Sequence, residues 1–325
     1  MILFYLNIHG GIKTYNPPIE LGGKMKINKL DGIEFRLKEL HDFNWLKKYG
    51  EAFWVVDETG SGCICIGMKK DDTKYFCKIA GVNTIEADIS PLESIQILKR
   101  AVQLYLDLEH SNLIKIIEHY EYNGFYVAIF EWTDGECLFD HWNFEKYERN
   151  PQIKSPKEKF KELPITTKLN AVDILFNFLQ NVNEKGYVAV DFYDGSIMYD
   201  FSTDTISICD IDFFRKTPVV NDIGTDWFGT KRLKAPEEYI KNSIIDEQTN
   251  IFTLGALIFE FFGNFSDEDI EQRYIQSRFV PCTFSNWQLS MESYQVVIKA
   301  VEFDKNERWK TFSEFLKEWK NANNL

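Results

Sequence analysis

The residues best suited to chemistry lie in the stretch 185–237. There Asp191 and Asp210 flank two strand-like runs, Ile197-Met198-Tyr199 and Thr205-Ile206-Ser207-Ile208-Cys209, with a turn at residues 200–204 between them. That pattern predicts a short hairpin with an acid on either side, so the two carboxylates should approach one another. Two acids at the edge of a cleft suit metal-assisted group transfer. One orients a hydroxyl or accepts its proton, and the other holds Mg²⁺ against phosphate oxygens. Taken alone, the same pair reads more simply as two solvated turn acids.

The elements that must position these acids are legible on both sides. Upstream, Phe53-Trp54-Val55-Val56, Cys63-Ile64-Cys65-Ile66-Gly67 and Thr73-Lys74-Tyr75-Phe76-Cys77-Lys78-Ile79-Ala80 predict an antiparallel meander. Its turns fall at Thr59-Gly60-Ser61-Gly62 and Lys69-Lys70-Asp71-Asp72. Residues 91–109 place Ile95, Leu98, Val102 and Leu106 at helical spacing, which predicts a helix packed on the meander. Two further strand-like runs, 114–122 and 125–132, are separated by Asn123-Gly124, a strong hairpin signal, and complete five strands. Residues 143–164 are highly charged and interrupted by Pro151, Pro156 and Pro164, and read as a solvated insertion. From 166 to 184, Leu169, Val172, Leu175, Phe176, Leu179 and Val182 predict a buried helix leading into the Asp191 stretch. Beyond Glu237 the chain reads mainly as helices.

In their order these pieces resemble the protein kinase family. Asp191 stands where the catalytic-loop aspartate stands, Ser196 at the metal-binding asparagine, and Asp210-Ile211-Asp212 at Asp-Phe-Gly. Ala235-Pro236-Glu237 matches the Ala-Pro-Glu that closes the activation segment, and Thr230 looks like the substrate-loop threonine of serine/threonine kinases. Asn250-Ile251-Phe252-Thr253-Leu254-Gly255 resembles the start of the central large-lobe helix, with Asn250 in place of the usual aspartate. Asp304-Lys305-Asn306-Glu307-Arg308 is similar to the late Asp-x-x-x-Arg stretch, whose arginine pairs with the glutamate of Ala-Pro-Glu. The resemblance therefore implies a buried Glu237–Arg308 pair.

On the nucleotide side, the resemblance implies that Gly60-Ser61-Gly62 covers the nucleotide and that Lys78 pairs with the α and β phosphates. Phe130 takes the gatekeeper place, and the backbone of Glu131, Trp132 and Thr133 faces adenine. Glu136 either accepts hydrogen bonds from ribose hydroxyls or is an acid favoured by the dipole at the start of the next helix. Ala101 stands where the family helix supplies a glutamate for the strand lysine. Glu93, two turns earlier, either replaces that glutamate or closes a capping box with Ser90.

The fold so implied is α+β and bilobal: a small antiparallel β lobe plus one helix over residues 51–133, and a larger, mainly helical lobe over 134–325. The function implied is a phosphotransferase using ATP and Mg²⁺ on a serine or threonine hydroxyl of a protein substrate. One alternative is a pseudokinase, a nucleotide-binding or scaffolding module on the same fold. Another is a small-molecule kinase, which Ala235-Pro236-Glu237 and Arg308 disfavour. Several positions depart from the family. Ala189-Val190 replaces His-Arg, so the arginine that reads activation-loop phosphate is absent and regulation by that route is not expected. Tyr193 replaces the loop lysine, Ser196 offers a hydroxyl for an amide oxygen, Asp212 replaces a glycine, and Phe76 takes the place of the small alanine that covers adenine. Asp194 and Asp212 add carboxylates available to compensate at the metal.

Composition bounds the remaining classes. A chain of 325 residues, 44% hydrophobic and 15% aromatic, buries a sizeable core in one large or two ordinary domains. Its net charge of −13 argues against a general nucleic-acid binder or an anionic-membrane binder, both of which favour basic surfaces. The six cysteines are scattered, without a Cys-x-x-Cys or a visible secretion signal, and a reducing cytoplasm is the simplest setting. Residues 1–8, apolar but too short to span a membrane, read as an added strand or tail. Residues 9–30 read as a turn-rich lead-in and 37–48 as a short helix. Residues 1–50 are thus expected to form an extension before the folded core.

Overall fold

The computed structural model describes residues 25–87, 89–140, 143–276 and 278–325. The readings of residues 1–8 and 9–24 lie outside them. The fold mixes helices with small antiparallel sheets, and it divides into two compact units. The first unit takes in the described residues up to Leu106 together with Ile114–Thr133, and the second comprises Asp107–Leu113 and Asp134–Leu325.

In the first unit, strands β1 (Lys26–Leu30) and β2 (Ile33–Leu37) form a hairpin, and a 3-10 turn follows at Asn44–Tyr49. Next come β3 (Glu51–Val56), β4 (Cys63–Lys70), β5 (Thr73–Ala80), α1 (Pro91–Asp107), β6 (Ile116–Tyr122) and β7 (Phe125–Glu131). The five long strands build one antiparallel sheet in the order β3-β4-β5-β7-β6. Asn123 and Gly124 both have positive φ, 47° and 85°, the geometry that a two-residue hairpin turn of matching twist demands. Period-2 alternation divides the sheet into two faces. Ile64, Ile66, Cys77, Ile79, Val127 and Ile129 point to one face and are fully buried there. Their cover is the segment expected to precede the core: Leu30, Phe35, Leu37, Phe43, Leu46 and Tyr49 belong to the same cluster. The extension reading therefore fails for residues 26–49. The expected helix at 37–48 is the end of β2 and a 3-10 turn, because its apolar residues alternate on β2 and then cluster at Phe43 and Leu46. Burial of each such side chain contributes about 1.5–3 kcal/mol, enough to order a short hairpin that could not stand alone.

The opposite face carries Cys65, Gly67, Phe76, Lys78, Ala128 and Phe130, and α1 packs on it. Tyr105 of α1 meets Phe130 edge-on at 5.0 Å, and Ser94 Oγ accepts the Gly81 N–H at 2.9 Å. Leu98, Ala101 and Val102 form the buried stripe of α1, whereas Leu106, expected on it, is 48% exposed.

The second unit begins with β8 (Glu136–Cys137), α2 (Phe144–Arg149), α3 (Pro156–Lys161), α4 (Ile165–Glu184) and β9 (Tyr187–Val188). There follow β10 (Ile197–Asp200), β11 (Thr205–Ile208), β12 (Arg215–Lys216), β13 (Val219–Val220) and β14 (Ile244–Ile245). The chain then runs through α5 (Glu247–Phe262), α6 (Asp267–Ile275), α7 (Met291–Ala300) and α8 (Phe312–Asn323). α5 is buried nearly throughout, and α4, α7 and α8 pack around it. The expected solvated insertion is instead anchored. α3 opens with a complete capping box between Ser155 and Glu158, and its Phe160 is 1% exposed, against Tyr199 and Phe261 at 5.1 and 4.7 Å. No helix among the described residues is long and apolar enough to cross a membrane.

Candidate functional site

The loop that carries Asp191 is held from below by α5. Asn250, completely buried, accepts the Ala189 N–H on Oδ1 at 2.7 Å and donates from Nδ2 to the Tyr187 carbonyl at 3.3 Å. An amide serves both bonds, where a carboxylate could only accept. Val190 is buried in an apolar cluster with Val188, Trp227 and Ile245. At Asp191 the backbone turns left-handed, φ 60°, and Asp210 does the same at φ 53°. Aspartate tolerates this conformation better than most residues, but it is sparsely populated, and such strain concentrates where a side chain must be aimed. Between the acids, β10 and β11 pair antiparallel from Ile197↔Ile208 to Asp200↔Thr205, the hairpin that the sequence predicts.

The two acids share one electrostatic environment. Burial, then the charges of Asp210 and Glu238, push the half-buried Asp191 carboxyl up to about 8, while the Thr230 hydroxyl, donating to its Oδ1 at 3.4 Å, acts in the opposite direction. Asp210 itself is exposed. Tyr193 lies across Gly195 so closely that a Cβ there would fall 2.4 Å from its ring, so the turn requires glycine. Burial, then the charges of Asp210, Asp191 and Asp194, hold the proton on the Tyr193 phenol far above its ordinary range. A neutral hydroxyl thus stands where the kinase resemblance leads one to expect a lysine. Ser196 Oγ is fully buried with no hydrogen-bond partner among the described residues.

Asp194 departs from expectation. It is turned inward, 1% exposed, and Arg232 holds it at 2.7 Å with Lys157 at 3.4 Å. A carboxylate neutralised in this way is not available to compensate at a metal. Asp212 is half-buried in the turn that follows Asp210. Three buried residues near Asp191 carried no sequence signal, because single charges look like solvent. Arg232 is one, and Glu238 and Lys234 are the others. Lys234 donates to the Trp227 carbonyl at 2.6 Å.

Glu237 and Arg308 meet as expected. The guanidinium grips both carboxylate oxygens at 2.8 and 2.9 Å, Thr249 Oγ1 donates to Glu237 at 2.7 Å, and Arg308 Nε donates to the Glu302 carbonyl at 2.7 Å. Burial alone would raise the Glu237 carboxyl, but the hydrogen bonds and charge of Arg308 outweigh it and hold it below its ordinary value.

In the first unit, Lys78 is half-buried on β5, opposite Cys65 and Ala128. The turn Gly60-Ser61-Gly62 is drawn down onto the start of α1, where a Cβ on Gly62 would lie 2.9 Å from that of Ser94, and the Thr84 hydroxyl ties the preceding Thr59 carbonyl at 2.9 Å. Glu93 closes the capping box, accepting the Ser90 N–H and hydroxyl at 2.8 Å each, so the capping alternative describes it. The Glu131 and Trp132 amides are spent on the Lys115 and Lys74 carbonyls at 2.9 and 3.4 Å, which narrows any recognition of adenine by amide donors here to Thr133. Phe76 packs with Phe130 and Trp54, and the rings of Phe53 and Trp132 close over Gly67, whose added Cβ would meet them at 2.8 and 2.9 Å. In the second unit, Glu136 lies on β8 rather than at a helix start, with both oxygens on Lys159 at 2.9 Å.

Among the described residues no group of three or more His, Cys, Asp or Glu side chains could hold a metal ion by itself, so a divalent cation here would depend on the two acids and on oxygens of its ligand. The acids' mutual repulsion at Asp191 is what a cation relieves, Asp210 and the orphaned Ser196 hydroxyl are oxygen donors, and Mg²⁺ needs only one or two carboxylates beside phosphate and water. No family model matches the chain. Calcium-dependent protein kinase 5 of Plasmodium berghei (strain Anka) is 22% identical over 232 residues, covering 68% of this chain and 38% of that protein. The chain is therefore distantly and partially similar to a protein kinase, matching well under two thirds of that relative's length.

Proposed function

We propose that the protein is a phosphotransferase of protein-kinase type that moves the γ-phosphate of ATP to a serine or threonine hydroxyl of a protein substrate in a cytoplasmic setting. The observation that carries this reading is Asp191, aimed by a left-handed backbone, raised to about 8 and already accepting from the Thr230 hydroxyl. A carboxyl with its pKa near the working pH is matched to accepting a proton in general-base catalysis. The acceptor hydroxyl gives its proton to Asp191 as its oxygen bonds to the γ-phosphorus, and ADP leaves with the electron pair of the broken P–O bond. Asp210 and Ser196 would hold Mg²⁺, which would supply charge neutralisation on the phosphates. Lys78 serves the α and β phosphates. Tyr193 lends a neutral hydroxyl where the family has a cation, which lowers the rate expected.

A pseudokinase is the second reading. The aromatic packing of Phe53, Trp54, Phe76 and Trp132 favours it, because it crowds the sheet face that adenine would need. One titration separates the two. ATP with Mg²⁺ should raise the melting temperature, because a ligand that binds only the native state stabilises it by mass action. Radiolabel from γ-labelled ATP should then pass to a generic protein substrate. A shift without transfer or hydrolysis selects the pseudokinase, and the absence of any shift at millimolar nucleotide rejects both nucleotide readings.

A further inference from the structure

The segment running from Asp210 to Glu237 carries Thr230 to Asp191, yet the loop below it offers Val190 where a phosphate-reading arginine would be. Two other ties hold the segment. The first is apolar: Val190 and Val188 pack with Trp227 of the segment and with Ile245. The second is ionic and deep. Arg232, two residues after Thr230, places its guanidinium on Asp194, three residues after Asp191, with nitrogens at 2.7 and 3.5 Å from the two carboxylate oxygens. Glu260 of α5 lies 3.8 Å from Arg232 and accepts from Arg273 of α6 at 2.6 Å, and Lys157 of α3 reaches both Asp194 and Glu260. Two carboxylates and two guanidiniums, each at most 6% exposed, are thus closed by one half-buried lysine. A charge set this buried does not tolerate loss of one member, so the position of each constrains the rest.

We propose that Arg232 and Asp194 are positioning residues whose buried pair ties the Thr230 segment to the Asp191 loop, docking that segment without phosphorylation. The proposal rests on the phosphotransferase reading only for its effect on rate. The tie itself is readable by hydrogen exchange, which reports local opening whether or not the protein is active.

The test is hydrogen exchange on the full chain, first dephosphorylated and verified by mass, then as Arg232→Met. The wild type should protect residues 189–196 and 225–234 with no phosphate present. Arg232→Met should loosen both stretches together and leave α8, which contributes no member to the charge set, unchanged. Protection that appears only on phosphorylation overturns the proposal, as does loosening of 225–234 alone. Should Arg232→Met fail to fold, Arg232→Lys keeps the charge but not the fork, and both stretches should loosen partially and in step. Loosening of one without the other again overturns the tie. If the wild type transfers phosphate, kcat of the Met variant should fall on the order of 10²-fold with KM for ATP unchanged, the signature of a displaced reacting group. If the wild type transfers none, the proposed function fails while the exchange result still decides the tie.

Discussion

Asp191→Asn should lower kcat for phosphoryl transfer by about 10²–10⁴-fold, the usual worth of a positioned proton acceptor, and leave ATP binding intact. Asp210→Asn should lose the Mg²⁺-dependent part of ATP binding as well, since that carboxylate is assigned to the metal. The state of Asp191 adds a pH signature. Its folded value, raised to about 8, means that the group is mostly protonated at neutral pH, so without metal the rate of proton acceptance should climb with pH and level off above about 8. Metal at Asp210 offsets part of the repulsion and should move that rise to lower pH. The stability sign follows from linkage. A carboxyl whose folded pKa is raised contributes stability that is fully present below the ordinary carboxylate range and is lost as pH rises towards the folded value. Asp191→Asn should therefore melt close to wild type at acid pH and above it at pH 9. A variant that is inactive and also much less stable at every pH would mark Asp191 as structural, and kinetics beside melting curves at pH 5, 7 and 9 decide the matter.

What could be read beforehand, and what could not, follows from the range of the physics involved. The meander, the Asn123-Gly124 turn and the β10–β11 hairpin are local: period-2 alternation and residues that tolerate positive φ specify them within about ten positions. Ser90 and Glu93 are separated by the spacing of a capping box, and they make one. The β1–β2 hairpin was missed because only one side of each strand turns inward, Leu30 with the polar Asn28 on β1 and Phe35 with Leu37 on β2, and its partner surface lies on strands that come later in the chain. Lys157 was read as part of a solvated stretch for a related reason. A lone lysine among charges signals water, and only folding brings Asp194, from a turn 37 residues on, and Glu260, 103 residues on, beneath it. The candidate acids were legible as a pair. Their supports Asn250, Arg232 and Tyr193 reveal their tasks only through contacts that sequence spacing does not display.

Removing either partner of Glu237–Arg308 should cost about 3–5 kcal/mol in denaturant unfolding, against at most about 1 kcal/mol for an exposed pair. Arg308 is 1% exposed and Glu237 7%, and the guanidinium also donates to the backbone carbonyls of Glu302, Gln248 and Phe303. Those carbonyls make the two single variants unequal. Glu237→Gln keeps an acceptor for the guanidinium and leaves a buried cation partly solvated by backbone, whereas Arg308→Met strands a carboxylate with only the Thr249 hydroxyl and a backbone N–H and unties three carbonyls. Arg308→Met should therefore be the more damaging. The double variant should be less damaged than the sum of the singles, because the second change removes the charge that the first left unpaired. The depressed Glu237 carboxyl adds a pH test of the same pair. Its contribution should be present above the ordinary carboxylate range and lost as pH falls below it, so wild type and Glu237→Gln should converge in stability towards acid pH. Additive effects below 1 kcal/mol in the three melts, with no convergence, would show that the clamp closing the Ala235-Pro236-Glu237 turn onto α5 carries no weight, and would weaken the proposal of a protein substrate, which leans on the same two residues.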